Sequence, residues 1–251
     1  MRGLTLESLW RLDQLVILLA IIVLASLGWA YLIGFNGAGM TMQSEAMPGP
    51  LALLGLSALM WSVMMVAMML PSATPMILTY ARVQSRQGLN NTSSLTLFVA
   101  GYLLVWSVFS LVAAMLQTLA YNLGLLASLM GATGKSAGGV LMIVAGLYQW
   151  SSLKDACLTQ CQTPLGFLLK EWRSGRGGAL LMGVKHGAIC VGCCWALMLL
   201  MFAGGVMNLA WMAALTVYML AEKVVPHGRR FGRLTGAGLV VGGLLLLAGV
   251  L

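Results

Sequence analysis

Seven apolar runs, most of them close to 20 residues long, follow one another along the chain with only short polar stretches between them. They cover residues 15–33, 51–70, 95–119, 137–153, 179–203, 204–221 and 234–251. A hydrocarbon core about 30 Å thick is crossed by about 20 helical residues. Inside it, every backbone polar group must find its partner within the helix or a closed barrel. The expected fold class is therefore all-α, a polytopic transmembrane helix bundle of about seven spans. It forms one domain over residues 1–251, with a cytoplasmic loop at 154–178. The fourth run has the softest edge, because Gly131-Ala-Thr-Gly-Lys-Ser136 reads as interfacial. The last three runs are compact and Gly-rich, and each spans only with some bilayer adjustment.

Composition agrees. The chain is 60% hydrophobic and 8% charged, whereas soluble domains carry about a quarter charged residues. A globule with so few charges could not cover its own surface, so a soluble enzyme is excluded. The polar start and the lack of a small-residue cleavage site after Ile33 make the first run a retained span.

The net charge of +8 is informative through its distribution. If all seven runs cross, every Lys and Arg except Lys135 falls on one side. Arg2 and Arg11 precede the first run, and Arg82 and Arg86 follow the second. Lys154, Lys170, Arg173, Arg176 and Lys185 surround the junction of the fourth and fifth, and Lys223, Arg229, Arg230 and Arg233 precede the seventh. By the positive-inside rule the amino terminus is cytoplasmic and the carboxyl terminus is not. Without an aromatic-interleaved basic face, the expected partner of these charges is the lipid bilayer and its anionic headgroups, not nucleic acid.

Some motifs carry little. Gly183-x-x-x-Gly187 and Gly238-x-x-x-Gly242 suit close helix approach. The stretch around Lys135 resembles a phosphate loop but has Leu129 where a glycine is required, and no strand precedes it. Asn90-Asn-Thr92 matches a glycosylation sequon at a position expected to be cytoplasmic. Glu222-Lys223 closes the sixth run and reads as a snorkelling interfacial pair. No Ser-His-Asp set, paired carboxylate or nucleotide loop is present, so no catalytic residue is assigned.

Sulfur is where the chemistry concentrates. The five cysteines form two groups, Cys157-x-x-x-Cys161 and Cys190-x-x-Cys193-Cys194. Both open toward the expected cytoplasmic side, where thiols stay reduced. On a helix His186, Cys190 and Cys194 share one face, and Cys193 flanks it. At about 1.5 Å per residue, Cys190 lies near the bilayer centre. Free Cys can simply pack as a small hydrophobe, and His186 alone could be a core histidine bonded to a carbonyl. Four soft or borderline donors on one arc point instead to metal or thiol chemistry. If the loop is helical, Cys157 and Cys161 also face together, ended by Pro164, with Lys154 near enough to favour a thiolate. They form either a second, entry-side soft site or two unconnected cysteines.

Methionine is abundant, 19 residues in 251. Met60, Met64 and Met68 make one stripe on the second run, with Met65 and Met69 beside it. Such stripes usually pack, yet thioethers, like thiolates, select Cu(I) over harder ions. Pro71 and Pro75 are expected to break that helix; irregular backbone at membrane depth must be enclosed by protein. The run therefore faces the bundle interior.

Three blocks are distinctive together: Trp61-Ser-Val-Met-Met-Val-Ala-Met-Met-Leu-Pro-Ser-Ala-Thr-Pro-Met76, Ala145-Gly-Leu-Tyr-Gln149 with Lys154-x-x-Cys157-x-x-x-Cys161-x-x-Pro164, and Gly183-Val-Lys-His-Gly-Ala-Ile-Cys-Val-Gly-Cys-Cys-Trp195. With Gly205-Val-Met-Asn208 through Glu222-Lys223, they resemble a bacterial family of predicted metal-binding integral membrane proteins whose function is unassigned. The resemblance covers about Leu51 to Pro226. It implies a multi-pass protein of the bacterial inner membrane and marks the Cys and His positions above as motif residues.

The leading expectation is a membrane protein binding a soft metal, Cu(I) first, for transfer or homeostasis. Its candidate ligands are His186, Cys190, Cys193, Cys194, Cys157, Cys161, Met64 and Met68. A membrane or periplasmic protein partner would exchange the ion. Two alternatives stand beside it: a membrane thiol-disulfide oxidoreductase with a Cys190–Cys193 disulfide, and an accessory subunit of a larger complex.

Overall fold

The computed structural model describes residues 6–39, 50–87, 92–126 and 131–250. Arg2, Leu129 and the Asn90-Asn91 pair of the sequon lie outside the described residues. Among those described, the chain forms nine helices and no strand; one isolated bridge joins Leu126 and Thr133. The helices are α1 (Leu6–Gly39), α2 (Pro50–Arg86), α3 (Thr92–Asn122), α4 (Lys135–Tyr148), α5 (Ser152–Gln162), α6 (Pro164–Glu171), α7 (Gly175–Gly204), α8 (Leu209–Val224) and α9 (Gly228–Leu247).

The all-α expectation holds, and five of the seven expected spans are met by long helices. Five helices, α1, α2, α3, α7 and α9, are long and apolar enough to cross a membrane. The fourth and sixth runs are helical but short, α4 with 14 residues and α8 with 16. Local signals explain both. Ser151 caps a new helix by accepting from the Lys154 backbone N–H at 3.1 Å, so the fourth run ends before residue 153. Gly205, at φ +92°, ends α7 in a conformation that L side chains rarely adopt, and Asn208 then caps α8 through the Trp211 N–H. The expected loop at 154–178 is largely α5 and α6, the latter begun by Pro164 at its first turn, where a missing N–H costs nothing.

Pro71 and Pro75 do not break α2, which continues through both to Arg86. Around them, side chains add bonds to a nearby carbonyl: Ser72 Oγ and Tyr102 OH both donate to Met69 O, at 2.9 and 3.1 Å. Prolines are tolerated in helices packed within a bundle, where neighbours and side chains re-satisfy the backbone.

Helix directions follow from paired residues. On α2 and α3, Trp61 meets Gln117 while Tyr80 stacks on Phe98 at 4.5 Å, an antiparallel pair. On α3 and α7, Gly183 abuts Phe98 and Gly187 abuts Tyr102 and Val105, a parallel pair; Arg176 reaching Ser93 at 3.0 Å agrees. Two parallel helices need a return between them. It is α4, antiparallel to α9 through Gly139 against Gly243 and Gly146 against Gly236. Lys135 starts α4 beside the end of α7, where Thr133 N–H bonds Phe202 O at 2.8 Å, far along the bundle from Arg176.

Gly183 and Gly187 thus serve as the expected close contact, whereas Gly238 and Gly242 do not. Nothing lies against Gly238, and Gly242 meets only the Met142 side chain. A methyl at Gly183 would fall on the Phe98 carbonyl oxygen, so α3 and α7 must part. Gly183→Ala is expected to cost about 1–3 kcal/mol, read as a lower melting temperature in detergent. Gly238→Ala should instead stabilise by about 0.5–1 kcal/mol. Equal melting of the two would contradict the α3–α7 contact.

The described surface carries many large apolar side chains, and a few polar and charged ones are buried in the apolar core. Leu15, Val16, Leu19 and Leu27 on α1, Leu104, Val108 and Leu119 on α3, and Leu234 and Val241 on α9 are exposed. Inside lie Lys154, His186, Glu222, Lys223, Gln117 and Gln149.

Candidate metal centre

Cys190 sits halfway along α7, and the four-residue repeat turns His186, Cys190 and Cys194 toward α2, α3 and α8. Cys190, Cys193 and Cys194 are all buried, and their Sγ atoms lie within 4.8 Å of one another. The Cys193 and Cys194 thiols both donate to the Cys190 carbonyl oxygen at 3.0 Å. These bonds hold two side chains of adjacent residues on one side of the helix.

Other helices add to the cluster. From α5, Cys161 Sγ comes to 4.0 Å from Cys193 Sγ. Cys157, half-buried one turn earlier, sets its Sγ against Gly192, where any larger residue would collide. The two cysteine groups are therefore one continuous array, not a separate entry site. Both α5 thiols are pushed above the ordinary range. Cys161 is held well up, first by its hydrogen bond to Cys190, then by that to Cys193 and by burial; Cys157 is raised by burial and then by Cys193.

The sulfur that reaches the cluster from α2 is Met69, whose Sδ is 4.0 Å from Cys194 Sγ. Met64 and Met68 are fully buried on the same helix, as Met69 is. His186 is 3% exposed, its ring stacked 5.5 Å from Tyr102 and 6.2 Å from Phe98. Its Nδ1 is buried without a hydrogen-bond partner. The ring borders a cavity of about 170 Å³ that Met76, Cys161 and Lys223 also line. His186 lies outside the tight three-cysteine cluster, one turn away toward this cavity.

Residues that sequence reasoning passed over complete the surroundings. Lys223 is not snorkelling: it is buried, with Nζ 3.1 Å from Cys190 Sγ and 2.9 Å from Ser72 Oγ. Tyr102 OH lies 3.3 Å from the same sulfur. Glu222 turns the other way and pairs with Lys154 at 2.7 Å, both side chains 2% exposed. Lys154 also donates to Gln149, so it does not serve the α5 cysteines. Lys185 pairs with Glu171 at the partly exposed edge, away from the cluster. A lysine deep in an apolar run is itself a functional signal; its place next to Glu222 made it look like half of a local pair.

The donor set suits a soft ion. With metal–thiolate bonds of about 2.3 Å, sulfurs sharing one metal lie about 4 Å apart, the spacing seen here. Thiolate and thioether donors without a carboxylate among them favour Cu(I).

The structure thus defines an all-helical protein with a buried, sulfur-lined cluster. The model of the PpoB2 copper chaperone family matches residues 58–246, well over half of the chain, and the chain belongs to that family. The matched region contains all five cysteines. No curated protein and no solved structure matches the chain.

Proposed function

We propose that this chain is a multi-pass membrane protein that accepts Cu(I) as cargo and holds it on Cys190, Cys193 and Cys194. Cys161 and Met69 would complete the site, and His186 would guide the ion from the cavity at its mouth. The observation that carries this reading is the convergence of sulfur from α2, α5 and α7 on one buried point. The ion would pass to a membrane or periplasmic protein partner. Placement in a bacterial inner membrane, amino terminus cytoplasmic, is supported by the apolar exterior and the one-sided basic residues. In that placement the five long helices cross fully, and α4 and α8 run between them to complete seven passes.

Cysteines bind metal as thiolates, so loading releases protons and affinity falls with acid. The test is anaerobic Cu(I) loading of detergent-purified protein under chelator competition. Wild type is expected to retain close to one equivalent, and a variant with all five cysteines changed to Ser almost none. Equal retention would end the copper reading.

The 4.0 Å approach of Cys161 and Cys193 favours one rival, a thiol oxidoreductase. Those two thiols would give two electrons and two protons to an acceptor such as a quinone. Differential alkylation and mass spectrometry would then find a Cys161–Cys193 disulfide in membranes as isolated; finding only free thiols removes the rival.

A further inference from the structure

Among the described residues the buried formal charges are few. Lys154 and Glu222 neutralise each other at 2.7 Å, and Lys223 is left. Among the described residues no carboxylate forms an ion pair with it. Its ammonium is held by Ser72 Oγ at 2.9 Å and Cys190 Sγ at 3.1 Å, with the Tyr102 hydroxyl 3.3 Å from the same sulfur. A charge in so dry a place persists only when compensated, and among the described residues the acid group in contact is a cysteine. One side of Lys223 also lines the cavity that leads to Cys161 and His186. A fixed positive charge therefore stands at the edge of a site read as a cation site.

Resting on the copper reading above, we propose that Lys223 sets the charge selectivity of the cysteine cluster, favouring monovalent soft cations over divalent ones. The physical basis is Coulomb's law. Repulsion between the ammonium and a bound ion scales with the ion's charge, and low-dielectric surroundings leave it poorly screened. A divalent ion meets twice the penalty of a monovalent one at the same place. Removing the charge relieves both, but the factor gained by a divalent ion is about the square of that gained by a monovalent one. Changes to the thiols that affect every ion alike cancel in the ratio of the two affinities. The selectivity is thus separable from a merely structural role for the lysine.

The probes are Ag⁺, an air-stable monovalent soft ion, and Cd²⁺, a soft divalent one. Affinities are measured by competition on the full-length protein in detergent, for wild type, Lys223→Met, Lys223→Gln and Lys223→Arg. The Cd²⁺-to-Ag⁺ affinity ratio should rise on the order of tenfold or more in the Met and Gln variants, and stay near wild type in the Arg variant. Circular dichroism identifies which variants fold. An unchanged ratio in any folded variant lacking the charge overturns the proposal. So does a wild-type protein that binds Cd²⁺ as tightly as Ag⁺, whatever the variants do. Failure of the wild type to bind Ag⁺ or Cu(I) at all is a different result, which removes the copper reading and the selectivity with it.

Discussion

Glu222→Ala is expected to destabilise the protein by about 3–5 kcal/mol, because it strands a buried ammonium. Lys154 and Glu222 are each 2% exposed, and the carboxylate meets Nζ through both oxygens, at 2.7 and 2.9 Å. With the carboxylate gone, Lys154 keeps only the Gln149 side-chain oxygen, too little to hold a full charge out of water. The effect should not stay local. The pair ties α5 to α8, and Gln162 on α5 also donates to the Glu222 carbonyl at 2.9 Å. Loosening α5 withdraws Cys161 from Cys193, so metal retention should drop with the melting temperature. The double variant Lys154→Met with Glu222→Met should recover most of the loss, since apolar replacements of a whole buried pair are often neutral. Melting curves for the two single variants and the double one decide this. A single variant as stable as the double would mean that the pair is not buried as described.

The second large effect is expected at Cys190. Cys190→Ser should lower Cu(I) affinity by on the order of a hundredfold or more, beyond the usual cost of losing a supporting residue around a metal. Its sulfur is the one that Lys223 and Tyr102 both approach, and its carbonyl orients Cys193 and Cys194. Serine keeps that carbonyl, so the substitution removes the soft donor alone. Cys157→Ser is the comparison: its sulfur faces Gly192 at the edge of the array, and its loss should cost less than tenfold. Chelator competition under anaerobic conditions measures both. Equal losses would put Cys157 on the same footing as Cys190 in the site; no loss at Cys190 would move the site elsewhere.

Much of the architecture was open to reading from the residues in order. Apolar run length announced α1, α2, α3, α7 and α9, and the absence of strands follows from the same runs. The four-residue repeat of His186, Cys190 and Cys194 put soft donors on one face of α7. Hydropathy was weaker at the ends of helices, where single residues decide. The Ser151 cap divides α4 from α5, and Gly205 with Asn208 divides α7 from α8. The first is a small signal inside an apolar run, which a run-length argument passes over; the second falls within a residue of the expected division at 203/204 and delays the start of α8 to Leu209.

What the order of residues determined by itself, then, is the helical class, the long apolar segments and the face of each helix that carries sulfur. These depend on local periodicity and on the cost of an unsatisfied backbone in an apolar setting, both fixed by neighbours in the chain. Only the tertiary structure decided that Met69 meets Cys194, that Cys161 joins Cys193, and that Lys223 and Glu222 turn to opposite partners. Those outcomes depend on how far one helix is rotated and slid against another. Glycine contacts such as Gly183 on Phe98 set that rotation, through packing between residues distant in sequence.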